Sequence, residues 1–321
     1  MENEIIQMVN QALPVIANST VLVKLIDGVF DVVKTLYEPR LIFRNGKAAV
    51  DVNQYEQGRL DNQGEQALTL FEINKLRNFL KAAGYAYSDI DQGENDEEYK
   101  EESIEFDWIM RFFDAVSLIS NDALLQFWGK VLAGEVKNPG ICSLRTLSIM
   151  RNLSTKEATD FNELCRYVMI SGTMSIIFDN GFNSLVEEED NINYNVESYQ
   201  FVKEKGWNYT ENISPLIEAG LISSNHDFFG DFEKENTLFI GNKSCMCYIV
   251  ASDDKEPIIF QPYSLTKSGQ ELFQIVQSVD NFHADIDYQI CCFKELKRRY
   301  GYVEYNFFKI CGEDNFEKIE I

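Results

Sequence analysis

A chain of 321 residues with 45% hydrophobic content, including 23 Phe and 15 Tyr, has ample material for packed cores, which excludes general disorder and predicts two or three subdomains. Its 52 Asp and Glu against 29 Lys and Arg give a net charge of −23, a field that repels phosphate backbones and anionic membrane surfaces. Nucleic acid is therefore not the expected partner, although a local basic patch escapes that argument, and the simplest role of the acidity is solubility.

Residues 1–18 carry Glu2 and Glu4 where a secretory signal has Lys or Arg, and Pro14 interrupts the apolar run, so no signal is expected there. No apolar run approaches the roughly 20 residues that a membrane-spanning helix needs. The seven cysteines (Cys142, Cys165, Cys245, Cys247, Cys291, Cys292 and Cys311) are odd in number and scattered. That is the pattern of reduced core thiols in a cytoplasmic protein, not of a disulfide framework.

Along the chain, residues 21–36 place Leu22, Leu25, Ile26, Val29, Val33 and Leu36 at helical intervals, and Pro39 breaks the pattern. A longer helix is expected from Leu41 to about Ala83, weakened by Gly46, Gly58 and Gly64 and stopped by Gly84. Residues 89–105 hold nine acids and one lysine, Lys100, and read as an exposed linker. Four short helices follow. The first carries Ile109, Phe112, Phe113, Val116 and Ile119; the second is capped by Ser120 and carries Leu124, Leu125, Trp128, Val131 and Leu132. After the turn at Asn138-Pro139-Gly140, Ser143 caps a third helix, and Ser154 with Glu157 forms a capping box for the fourth. Beyond Ser171 the acidic run 187–190 is loop-like, a short helix spans 213–219, and strands are expected at 221–222, 237–240, 245–250 and 258–260. A helix over 264–279, a further helix from Asp285 and a strand over 302–310 complete the chain.

The predicted fold is mainly α. An N-terminal helical hairpin occupies 1–88, the acidic linker 89–105 and a compact four-helix module 106–170. A winged-helix-like α+β domain spans 171–284, with a closing helix and strand over 285–321. The winged-helix expectation rests on element order: helix, "GLI" strand, two-stranded wing and the "LTKSGQEL" helix.

Two stretches carry a family resemblance. "TLYEPRLIFRNGKAAVDV" (35–52) resembles a pattern of Leu-Tyr-x-Pro followed by an Ala- and Lys-rich helix. "DWIMRFFDAVSLISNDALLQFWGKVLAGEVKNPGICSLRTLSIMRNLS" (107–154) is similar to the signature of an uncharacterised bacterial family, domain of unknown function 2806, with relatives grouped with abortive phage infection. Gly46 and Asp51 stand where the family usually has Ala and Glu. Over roughly the first half of the chain the resemblance implies a helical architecture and a defence context, and it brings no catalytic residues.

Within the signature, Trp128, Lys130, Glu135, Pro139 and Arg145 are the candidate residues. Glu135 and Arg145 are expected either to shape a pocket under Trp128 or, more simply, to form a buried pair that fixes the turn at Pro139. Cys245-x-Cys247 with His226 is the one hint of a metal site, but structural zinc needs four ligands, and two cysteines two apart on a strand share a face as core residues do. No GxxxxGK[ST] or GxGxxG loop occurs, and only His226 and His283 are present as imidazole bases. Neither a catalytic residue nor a cofactor is assigned. "ENISPLIEAG" (211–220), the expected recognition helix, has no cation to meet phosphate. Lys294, Lys297, Arg298 and Arg299 form the one basic cluster, either a solvated face or a docking site for an acidic partner or for the chain's own acidic linker. The expectation is a non-enzymatic interaction protein, in keeping with a phage-defence setting, working with a protein partner (a basic one would suit its acid-rich surface) or as a homo-oligomer. A nucleic-acid-binding winged-helix regulator and an enzyme with an unrecognised carboxylate site are the alternatives.

Overall fold

The structure is a computed structural model. It describes residues 70–91, 104–177, 203–223, 237–250 except 243, 262–278, 282–299, 304–312 and 315–320, together with residue 201 and isolated positions between 11 and 35. The chain divides into two compact units, Met1–Arg151 and Asn152–Ile321.

In the first unit, Leu25, Val29 and Val33 are buried on helical backbone, as the spacing within 21–36 predicts, and Val32, outside the predicted stripe, is buried beside them. Helix α1 (Leu70–Asp91) runs straight through Gly84, which was expected to end it. The helix continues because the buried stripe does: Leu76, Phe79, Ala83, Ala86 and Ile90 keep one face in the core, and that burial outweighs the ~1 kcal/mol cost of a helical glycine. The start of the expected acidic linker, 89–91, is therefore helical, while 92–103 and the segment 41–69 lie outside the described residues.

The next three helices are α2 (Phe106–Val116), α3 (Asp122–Lys137) and α4 (Leu144–Asn152). Ile109, Phe112, Phe113 and Val116 are buried on α2, as predicted. The N-cap of α3 is Asn121, not Ser120: its side chain accepts the Leu124 N–H at 3.0 Å. Ser143 does cap α4, accepting the Thr146 N–H at 3.3 Å. Helices α1 and α3 pack closely because Gly129 has no side chain: a Cβ there would lie 2.5 Å from Tyr85 Cβ and 3.0 Å from Ala82 O. Along the same seam Asp122 accepts from Tyr85 at 2.7 Å and from Lys81 at 3.1 Å. Phe79, Trp108, Phe112, Phe113 and Trp128 fill the interior, with ring centroids 5.2–6.2 Å apart.

The second unit opens on α5 (Thr155–Leu164), whose capping box is complete: Glu157 N donates to Ser154 Oγ at 3.2 Å and Ser154 N to Glu157 Oε2 at 2.6 Å. Sheet strands follow as β1 (Met169–Ser171), β2 (Met174–Ile177), β3 (Thr237–Gly241), β4 (Cys245–Val250), β5 (Tyr263–Ser264), β6 (Glu304–Gly312) and β7 (Asn315–Ile319). They form one antiparallel sheet in the order β5-β2-β1-β3-β4-β6-β7. Between strands lie the five-residue α6 (Ser214–Glu218), α7 (Lys267–Gln277) and α8 (Ile286–Arg299).

The β1–β2 hairpin and β7 were not anticipated, since three to five residues are too few to show an alternation. The predicted strand at 221–222 is a single bridge, Ile222 to Leu265, and 258–260 lies outside the described residues. Helix α7 starts three residues later than expected, after the Thr266 cap. Gly269 explains the tight "GLI" crossing: a Cβ there would fall 2.1 Å from Leu221 O. The structure is helix-rich, with an antiparallel sheet towards the C-terminus.

Candidate functional site

Of the signature residues, Glu135 holds the α3–α4 turn that contains Pro139. Glu135, 2% exposed, extends its carboxylate to two backbone donors, Gly140 N at 2.7 Å and Cys142 N at 3.0 Å. The same segment is tied to α2 by Trp108 Nε1, which donates to Cys142 O at 2.7 Å. Asn138, Pro139 and Gly140 reverse the chain, and Gly140 takes φ of +85°, a left-handed conformation that side-chain-bearing residues adopt at a cost. Both carboxylate oxygens of Glu135 are thus engaged by the turn it stabilises. Arg145, expected as its partner, is exposed on the first turn of α4, and Lys130 is half-buried. Trp128 is fully buried, packed edge-on against Phe112 at 5.5 Å, and its indole N–H has no hydrogen-bond partner. Trp128 and Glu135 both turn inward from α3, and Pro139 lies half-buried in the turn that Glu135 holds.

In the second unit, Cys245 and Cys247 share the buried face of β4, as the i, i+2 spacing requires. Burial pushes both thiols up to about 12, the Cys245 charge adding to the effect at Cys247, so both are protonated and unreactive near neutral pH. Cys245 Sγ contacts Oε1 of Gln289, a fully buried residue of α8 whose Nε2 has no partner. Among the described residues, no group of three or more His, Cys, Asp or Glu is placed to hold a metal ion. His226 lies outside the described residues, and His283 is exposed just before α8.

Helix α8 divides its faces sharply. Tyr288, Gln289, Cys292 and Phe293 are fully buried, with Phe293 against Phe307 of β6 at 5.4 Å. Lys294, Lys297 and Arg298 are exposed on the opposite side, and Arg299 ends the helix. The expected recognition element behaves differently. Asn212, its one amide suited to a base edge, is 8% exposed and donates to Asp160 at 3.0 Å, and α6 beside it has only five residues. The expected wing, β3 and β4, lies inside the sheet, flanked by β1 and β6.

One cluster escaped sequence reading. Asp285, 8% exposed, accepts from Lys205 at 2.5 Å and from the Tyr288 N–H at 3.2 Å, which makes it the cap of α8. Lys205 Nζ also lies 4.2 Å from the centre of the Phe201 ring. Tyr288 meets Tyr167 at 4.8 Å, and Tyr167 meets Trp207 at 5.8 Å. Burial, and then the Asp285 charge, push the Tyr167 hydroxyl up to about 12. The usable signal was Asp285 itself, three residues before an inward-facing Tyr288, where an N-cap acid belongs.

A packed helical signature followed by an antiparallel sheet is the class of protein that the geometry defines. The chain belongs to the family described as "Protein of unknown function (DUF2806)", which matches residues 71–285, about two thirds of the length. The resemblance carried by 107–154 is therefore correct and extends well past the first half, whereas the stretch 35–52 lies outside the match. No curated protein and no solved structure matches the chain. No helix among the described residues is long and apolar enough to cross a membrane.

Proposed function

We propose that this is a non-enzymatic interaction protein that docks an acidic protein segment on the outer face of α8. The observation that carries this reading is the exposure of Lys294, Lys297 and Arg298 on one helical face, in a chain whose net charge is −23. Cations concentrated against the prevailing charge gain little as a solubility device and more as a local attractor, because charge complementarity fixes register and speeds encounter. The inward use of Glu135 and the protonated state of Cys245 and Cys247 support a role without chemistry at those positions. The resemblance to relatives grouped with abortive infection suggests a defence setting, in which the partner is a sensed or sequestered protein.

Fluorescence anisotropy with a labelled poly-glutamate peptide and a labelled DNA duplex tests the reading. The peptide should bind at low salt, and Lys294→Glu with Lys297→Glu should weaken it by about tenfold or more, since each close charge pair contributes on the order of 1 kcal/mol. Tight duplex binding with a steep salt dependence would instead favour a nucleic-acid-binding winged-helix regulator, the reading suggested by the order of α6, "GLI", β3, β4 and α7.

A further inference from the structure

The outer face of α8 changes character along its length. With about 3.6 residues per turn, Asp287, Cys291, Lys294 and Arg298 fall within about 60° of one another around the axis, and Ile290 and Lys297 flank them on one side. Tyr288, Gln289, Cys292 and Phe293, all fully buried, occupy the opposite face, so this stripe is the one turned away from the core. Asp287, Lys294, Lys297 and Arg298 are exposed, and Ile290 and Cys291 are half-buried between the acid and the cations. From its N-terminal end the stripe therefore presents an acid, then an apolar pair, then cations, over about 16 Å of helix. Asp287, Cys291, Lys294 and Arg298 recur at intervals of four, three and four residues, the spacing at which a second helix stays in register with the first. The helix dipole favours charges of these signs at these ends, but it does not place an apolar pair between them.

We propose that the segment docked on α8 is itself a helix, graded in the complementary sense. It sets two turns of acids against Lys294, Lys297 and Arg298, an apolar residue over Ile290 and Cys291, and a cation against Asp287. This rests on α8 being a docking face and names what that face selects. Charge complementarity chooses this occupant over the alternatives. A second α8 brings three exposed cations and one exposed acid against the same set, counted among the described residues, so cations remain opposed to cations. A uniform polyanion brings a carboxylate to Asp287, where like charges repel, and nothing apolar to Ile290 and Cys291. A graded helix meets all three zones, and the one acid of the stripe then works as a discriminator against the wrong register.

Fluorescence anisotropy of the full chain with labelled synthetic peptides is the test. The graded peptide carries Glu in its first two turns, Leu in the third and Lys in the fourth. Its control has the same composition with acids and lysines interleaved, and poly-glutamate is the third probe. At low salt the graded peptide should bind about tenfold more tightly than its interleaved isomer. Asp287→Asn, at an exposed position, should weaken the graded peptide and strengthen poly-glutamate, each by roughly two- to fourfold, the size of one exposed charge pair. Simple loss of helix would move both affinities the same way. Replacing the peptide's Leu by Ser should weaken binding severalfold with the protein unaltered. Equal binding of the graded and interleaved peptides, an unchanged affinity with Ser, or responses of the same sign to Asp287→Asn would overturn the graded partner while leaving α8 a docking face. Failure of every peptide to bind would overturn the docking face as well.

Discussion

Glu135 is buried in a helix and bonded to two backbone donors five and seven residues ahead, so its acidity is spent on geometry. Replacing it by Gln puts an NH2 group against one of two N–H donors, losing a charge-assisted bond and leaving a buried donor unmatched. Glu135→Gln should therefore lower stability by about 2 kcal/mol, read as a reduced urea midpoint with unchanged slope. A neutral result would mean that the turn holds itself. Cys245, Cys247 and Tyr167 give a pH signature. Their acidities move from ordinary values of 9.0 and 10.0 up to about 12, so the folded state holds their protons more firmly than the unfolded chain. The stability they contribute is complete below pH 9 and drains away as pH rises towards 12. Urea midpoints measured across that range should fall, and Cys245→Ala with Cys247→Ala should flatten part of the fall. In the native state, exposed Cys311 should react with a thiol reagent while buried Cys245 and Cys247 resist.

At the scale of elements, local signals worked where they were complete within a few residues. The Ser154–Glu157 capping box was readable because both halves of the exchange lie within one turn, and Ser154→Ala should cost about 1 kcal/mol in a thermal melt. Turn chemistry at Asn138-Pro139-Gly140 was readable for the same reason. Gly84 misled because its role in α1 depends on the buried stripe on either side, not on its own propensity. Gly129 and Gly269 were silent for the opposite reason, since each is explained by a backbone from a distant part of the chain. Gly129→Ala should destabilise by roughly 1–3 kcal/mol despite the higher helix propensity of Ala, because the methyl group must force α1 and α3 apart. A stabilised variant would show that the seam is looser than 2.5 Å implies.

For the whole molecule, −23 is the dominant fact. Raising ionic strength from about 0.01 to 0.15 M shortens the screening length from ~30 to ~8 Å and relieves the self-repulsion of the compact state. The melting temperature should rise with salt over that range, and a fall would show that specific ion pairs outweigh the general field. Composition, charge, the helical signature and the family were determined by sequence alone, because each depends on residue counts or on patterns that close within one or two helical turns. Three things were decided only in three dimensions. These are the inward engagement of Glu135, the Asp285–Lys205 cap beneath Tyr167 and Tyr288, and the burial of β3 and β4 inside a seven-stranded sheet. Each joins segments that the chain itself does not order: a carboxylate to backbone donors beyond its own helix, a lysine to an acid 80 residues away, and strands whose neighbours are set by packing.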